Sequence, residues 1–146
     1  MTVLQDLEAR VGEEIGVGEW VTVTQEAVNA FADATLDHQW IHVDLDKAAA
    51  GPFGGPIAHG FLTLSLVSAI APSVEIPDVK MAINYGLDRV RFITPVPVGN
   101  RVRARSVLRD AHEVAGGVQV KTEVTIELEG SEKPACVAET LARFYF

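Results

Sequence analysis

The run Gly60-Phe-Leu-Thr-Leu-Ser-Leu-Val-Ser-Ala-Ile-Ala71 constrains this chain more than any other feature. It is apolar nearly all round and stops at Pro72, which predicts a helix of about twelve residues, ~18 Å long at ~1.5 Å per residue. A helix without a polar face must be enclosed. Everything after Pro77 reads as strand. Val118, Val120, Thr122, Val124, Ile126 and Leu128 alternate with Gln119, Lys121, Glu123, Thr125, Glu127 and Glu129, giving one dry face and one wet face. Arg101, Arg103 and Arg105 alternate with Val102 and Ala104 in the same way, and turns fall at Val98-Gly-Asn100, Ala115-Gly-Gly117 and Glu129-Gly-Ser131. Helices first and antiparallel strands afterwards make an α+β domain whose sheet wraps the buried helix. With no internal repeat or linker, residues 1–146 are expected to form one domain.

Ahead of the apolar run, Trp20-Val-Thr-Val-Thr24 alternates like a short strand. Thr24 can cap a helix over Gln25–Ala34, with Ala27, Val28, Phe31 and Ala34 on one face. Thr35–Val43 has no clean period and reads as an ordered loop, followed by a short helix at Asp46–Ala50. Gly51-Pro-Phe-Gly-Gly-Pro56 then forbids regular structure.

Composition narrows the function. No stretch approaches the ~20 apolar residues of a membrane-spanning helix, and the N-terminus lacks the basic start and apolar run of a signal peptide. A cytoplasmic location without membrane attachment is expected. The single cysteine, Cys136, cannot form an intrachain disulfide and reads as a small buried hydrophobe. A formal charge of −8 argues against a nucleic-acid partner, because neutralising phosphates needs a basic face. The charge is unevenly spread, however. Lys80, Arg89, Arg91, Arg101, Arg103, Arg105 and Arg109 face only Asp88 within one segment, which carries +6 against −14 for the remainder. A small polyanion could dock there.

Chemistry centres on Asp37-His-Gln-Trp-Ile-His42-Val-Asp44. A carboxylate and an imidazole in one loop can hold a water between them, one taking its proton while the other supplies a proton to the neighbouring carbon. On composition alone, the commoner explanation is that Asp37 caps a turn and His42 is a hydrogen-bonded interior histidine. His38 and His42, four apart, suggest a metal with Asp37 or Asp44 as a further ligand. A loop does not place i and i+4 side chains on one face, though, and no metal or cofactor is expected. Ser65 and Ser68 sit within the apolar helix, where hydroxyls bond back to carbonyls rather than act as nucleophiles.

A second candidate is Pro56-Ile-Ala-His-Gly60, where a flexible loop enters the apolar helix. The first amides of a helix have no internal acceptors and lie at the positive end of its dipole. Gly60 has no side chain, so a carbonyl can approach its amide closely. Its alternative is an ordinary helix entry. His59 is either a ligand contact or a residue that orients the loop through a hydrogen bond.

Asp37-His-Gln-Trp-Ile-His42, Phe53-Gly54, Pro56-Ile-Ala-His-Gly60-Phe, Val90-Arg-Phe92 and Pro95-Val-Pro-Val-Gly99 together resemble the MaoC-like (R)-specific enoyl-CoA hydratases of the hotdog fold, nearest their nodulation-protein-N-like branch. The resemblance covers nearly the whole chain in order. It implies an antiparallel sheet around a long central helix, a homodimer, and an acyl-CoA substrate near the subunit interface. It implies that Asp37 and His42 are catalytic, that the Gly60 amide polarises the thioester carbonyl, and that water adds syn to trans-2-enoyl-CoA to give an (R)-3-hydroxyacyl-CoA. Ile57, Ala58, His59, Tyr85 and Gly86 fall where the family contacts substrate, and Lys80, Arg89 and Arg91 are the candidates for coenzyme A phosphates.

The chain departs from the usual motif in having Thr35-Leu36 for Ser-Gly and Gln39-Trp40 for Asn-Pro. Leu36 implies an altered loop or a negative φ, and Trp40 either shapes the acyl pocket or simply packs. Three rivals remain. A hotdog thioesterase usually has an acidic residue on the central helix, and Gly60–Ala71 contains none. The others are a dehydratase of 3-hydroxyacyl carrier protein and a non-catalytic acyl-CoA-binding protein.

Overall fold

The computed structural model describes residues 1–146. Short elements come first: α1 (Val3–Ala9), β1 (Glu14–Val17), β2 (Val21–Thr22), α2 (Gln25–Thr35), α3 (Trp40–Val43) and α4 (Leu45–Ala49). The apolar run forms α5 (Gly60–Ser65) and α6 (Val67–Ile70). Four long strands follow, β3 (Met81–Phe92), β4 (Arg101–Val114), β5 (Gly117–Leu128) and β6 (Cys136–Tyr145). They make one antiparallel sheet in the order β1-β4-β5-β6-β3, with β2 also pairing β4. The α+β hotdog architecture expected from the sequence is the one observed.

Local chemistry accounts for the elements. The Thr24 hydroxyl accepts from the Ala27 amide (3.1 Å) and starts α2. α2 runs one residue beyond the expected Ala34, because the Thr35 hydroxyl bonds back to the Phe31 carbonyl. The segment read as loop contains the single turn α3. The next helix starts at Leu45 rather than Asp46, since Asp44 caps it by accepting from the Lys47 amide. Both turns Val98-Gly-Asn100 and Glu129-Gly-Ser131 place their glycine at positive φ, 95° and 79°. Alternation in β5 holds from Val124 to Leu128, where Val124, Ile126 and Leu128 are buried; nearer its start Gln119, expected on the wet face, is buried with Val118 and Val120, and Thr122, expected on the dry face, is half-buried.

Two expectations about the central helix need correction. It is interrupted at Leu66, which caps α5 in helical geometry and starts α6, so the ladder is continuous in direction but not in hydrogen bonding. Nor is it enclosed. Leu62 and Thr63 are buried against the sheet, whereas Phe61 stays 69% exposed. A sheet from one chain covers one side of a helix. The open side lies alongside β3, whose Met81, Ile83, Tyr85 and Leu87 are also exposed. The main core joins Val28 of α2 and Leu62 of α5 to Val102, Ala104, Val124 and Ile126.

Candidate active site

Two chain segments meet to form the site. One is the stretch from the end of α2 through α3. The other is Pro56–His59, the approach to α5. The Ile57 amide donates to the Ile41 carbonyl (3.0 Å), and the Ala58 amide donates to the Val96 carbonyl (2.8 Å). From α2, the Gln25 side chain donates to the His42 carbonyl (2.9 Å) and ties α3 in place.

His42 is buried, and its Nδ1–H donates to the Ile57 carbonyl at 2.6 Å. A carbonyl only accepts, so the proton of the neutral ring is on Nδ1 and the lone pair is on Nε2. Burial holds this imidazole below its ordinary 6.5, and His59 acts in the same direction. The Ile57 hydrogen bond and the Asp37 charge oppose them. His42 is thereby kept as a neutral base near neutral pH.

Asp37 reaches the same place from the other direction. Leu36 caps α2 with φ 65° and ψ 19°, so of the two alternatives for this position a negative φ is excluded. The left-handed residue turns the chain sharply and presents Asp37 at the surface, where its carboxylate accepts from the Gln39 amide (3.4 Å). Ligand atoms of Asp37, His42 and His59 lie within 4.8 Å of one another.

His59 is buried at 2% exposure, and its Nε2–H donates to the Asp37 backbone carbonyl (2.9 Å). Its ring stacks on that of His42, centroids 3.9 Å apart and planes 24° from parallel. Nδ1 of His59 is buried with no hydrogen-bond partner, a condition costing about 1–3 kcal/mol. Of the two readings of His59, the geometry accords with the one that orients the loop through a hydrogen bond: the ring is buried against His42. The three groups also fit a metal poorly. Imidazole lone pairs lie in the ring plane, and two stacked rings aim theirs along nearly parallel sheets rather than at one point. His38 and His42, whose spacing alone suggested a metal, are not grouped here, since His38 bonds Asp33 at the surface (2.9 Å).

A cleft of about 410 Å³ opens in front of His42. Ile57, Ala58, Gly60 and Thr63 line one wall, and Phe92 to Val96 line the other. No side chain caps α5 at His59. A Cβ added at Gly60 would meet the Phe92 ring at 3.3 Å, so glycine keeps the amide approachable from the cleft. Thr63 was not singled out by sequence, and Phe92 was noted only within the Val90-Arg-Phe92 motif, with no place in the site. The i, i+3 spacing from Gly60 would have found Thr63, while Phe92 arrives from a strand distant in sequence.

Other expected site residues lie elsewhere. Tyr85 and Gly86 line a separate groove of about 290 Å³ with Leu64, Ser68 and Thr140, not the His42 cleft. Trp40 packs its ring on Gly51 under the Lys47 ammonium and is absent from the cleft. Lys80, Arg89 and Arg91 lie on and before β3, exposed or nearly so, and form no ion pair. Cys136 is buried and its thiol is pushed up to about 11, which keeps it inert. A further groove of about 360 Å³, between Val67, Ala71 and the concave sheet face, contains no ionisable side chain.

Comparison with known proteins agrees with this geometry. The family described as "MaoC like domain" matches residues 6–129. The 3-hydroxyacyl-thioester dehydratase Z of Mycobacterium tuberculosis is 57% identical over 141 residues, covering 95% of this chain and 93% of that protein. Nodulation protein N of Rhizobium leguminosarum bv. viciae is 49% identical over 147 residues, covering 98% and 91%. Among solved structures, the (R)-hydratase from A. caviae involved in PHA biosynthesis aligns with a TM-score of 0.72 and 26% identity over 90% of this chain and 94% of its own. The match across both walls of the cleft, together with these likenesses, shows that the chain belongs to the MaoC-like dehydratase family and has its hotdog fold.

Proposed function

We propose that this protein is a cytoplasmic hydro-lyase that interconverts trans-2-enoyl and (R)-3-hydroxyacyl thioesters, with coenzyme A as the handle. The observation that carries the reading is His42, whose Nδ1 is committed to Ile57, which leaves the Nε2 lone pair unused, and whose ring has a nitrogen within 4.8 Å of an Asp37 carboxylate oxygen. In hydration the water oxygen bonds to C3, and one of its protons passes through the Asp37–His42 pair to C2. The π electron pair of C=C ends in the new C2–H bond. The intermediate enolate oxygen faces the Gly60 amide, a donor of the kind that contributes roughly 3 kcal/mol to a developing oxyanion. Dehydration is the same path reversed.

The named relatives include a 3-hydroxyacyl-thioester dehydratase, which supports the thioester class but not the handle. The carrier-protein alternative predicts turnover only with acyl carrier protein. We further propose a homodimer formed through β3, a twelve-residue edge strand with exposed Met81, Ile83, Tyr85 and Leu87. A long apolar edge strand is a template for antiparallel pairing with a second copy. That pairing would also cover Phe61 and bring Tyr85 and Gly86 into a shared interface. The deciding experiment follows loss of the conjugated-thioester absorbance of crotonyl-CoA. Turnover supports the reading, and binding without turnover at any chain length favours the non-catalytic alternative.

A further inference from the structure

His59 joins the two reacting residues by different means. Its Nε2–H holds the backbone of Asp37, 22 residues away, and its ring face lies on His42. The Phe31 ring of α2 closes its other side at 4.9 Å. A phenylalanine would fill this space without a buried unpaired nitrogen, and a glutamine would reach the carbonyl without a ring. Histidine does both and leaves Nδ1 unsatisfied. The turn it holds is a strained one, because Leu36 is left-handed and its exposed side chain gives the turn no packing. Two residues earlier, the Ile57 carbonyl holds the His42 ring.

Granted the hydro-lyase reading above, we propose that His59 is a positioning residue: Ile57–His59 acts as a clasp that sets the spacing of the Asp37 carboxylate and the His42 imidazole. Neither function needs contact with substrate, which the burial of His59 precludes. His42 feels the charge of Asp37 and the influence of His59, while Phe31 behind His59 and the cleft residues Phe92–Val96 carry no charge. The His59 ring covers one face of His42, so removing it relieves the burial that keeps His42 neutral, and His42 would protonate at higher pH.

Two variants separate the functions. His59→Phe keeps the ring and loses the donor, so kcat for crotonyl-CoA falls ~10-fold or more while KM stays within about twofold, as expected when a reacting group is misplaced but the cleft is intact. His59→Gln keeps a donor for the Asp37 carbonyl and loses the ring, so it retains more kcat than His59→Phe. Its kcat/KM against pH has the acid limb moved upward. A folded His59→Phe with wild-type kcat, or a His59→Gln with an unmoved acid limb, reduces His59 to packing and overturns the proposal. Should either variant fail to fold, nitrogen NMR of the wild-type histidines at pH 8 decides. Nε2–H at His59 with Nδ1–H at His42 supports the clasp, and Nδ1–H at His59 overturns it. Wild-type protein that turns over no enoyl thioester defeats the hydro-lyase reading, whereas the NMR result still judges the clasp.

Discussion

In the proposed mechanism Asp37 and His42 share one task, so either substitution alone should remove most of it. Asp37→Asn and His42→Ala are each expected to lower kcat by ~10²-fold or more with unchanged circular dichroism, the usual size of a general acid–base contribution. Near-normal turnover in either variant would remove that residue from the mechanism. The pH dependence follows from His42. Its neutral form is the working base, and burial holds its value below 6.5, so kcat/KM should persist below that pH and fall only as the folded ring finally protonates. Leu36→Gly tests the strained turn separately. Glycine removes the left-handed penalty but adds unfolded-state entropy, and Leu36 is too exposed to lose packing, leaving a gain of up to about 1 kcal/mol in chemical denaturation. Residue type and loop context marked Asp37 and His42 as candidates, the family resemblance raised them above turn cap and interior histidine, and the fold brings their ligand atoms within 4.8 Å. The place of His59 was only half legible: Asp37 and His59 are far apart in the chain, and nothing local distinguishes a ring facing ligand from one standing behind another ring.

Periodicity made the strands and the apolar helix legible, since each reflects a repeating demand of burial along one element. What it left out was coverage. The apolar character of Phe61, Leu64 and Val67 demands a partner surface, and the sequence cannot say whether the same chain supplies it. The break at Leu66 was equally hidden, because Leu66 keeps helical torsions and its own helical bonds, and only after it does the ladder change, with the Ala69 amide donating to the Leu66 carbonyl (2.9 Å) three residues back. Close approach between elements is another property that no pattern shows. A Cβ on Gly18 would collide with the Ile70 carbonyl at the end of α6, while the Gly18 amide donates to the Ala104 carbonyl (2.8 Å). Gly18 is thus pinned between the sheet and the central helix, with no room to retreat. Gly18→Ala should destabilise by about 1–3 kcal/mol, the range for forced overpacking, and thermal unfolding checks it. An unchanged midpoint would mean that α6 shifts freely, and the central helix would then be a softer element than its packing indicates.

Charge is distributed over the molecule in a way that only the folded chain reveals. The basic segment carries +6, yet most of it is neutralised across the outer sheet face. Arg101 pairs with Glu129, Arg103 with Glu127, Arg105 with Glu127 and Glu14, and Arg109 with Glu123. Alternation predicted these arginines on a wet face, and the glutamates alternating on β5 meet them there. Lys80, Arg89 and Arg91 have no such partners, and they lie on or beside β3, which ends at Phe92 in the wall of the cleft. Coenzyme A is a polyanion and this chain carries −8, so long-range repulsion slows its approach unless a local positive surface offsets it. Contacts from exposed cations to phosphate are screened within about 10 Å at 0.1 M salt, whereas proton transfer inside the cleft is not. KM for crotonyl-CoA should therefore rise with ionic strength while kcat changes little. A pantetheine thioester without the nucleotide phosphates should show almost no salt effect, and neutralising Lys80, Arg89 or Arg91 should flatten the response to full coenzyme A. Neutralising Arg103 should not, because Glu127 already meets it. If KM for crotonyl-CoA were as insensitive to salt as that of the truncated thioester, these three cations would have no part in binding, and the handle would have to be held by neutral contacts along the cleft.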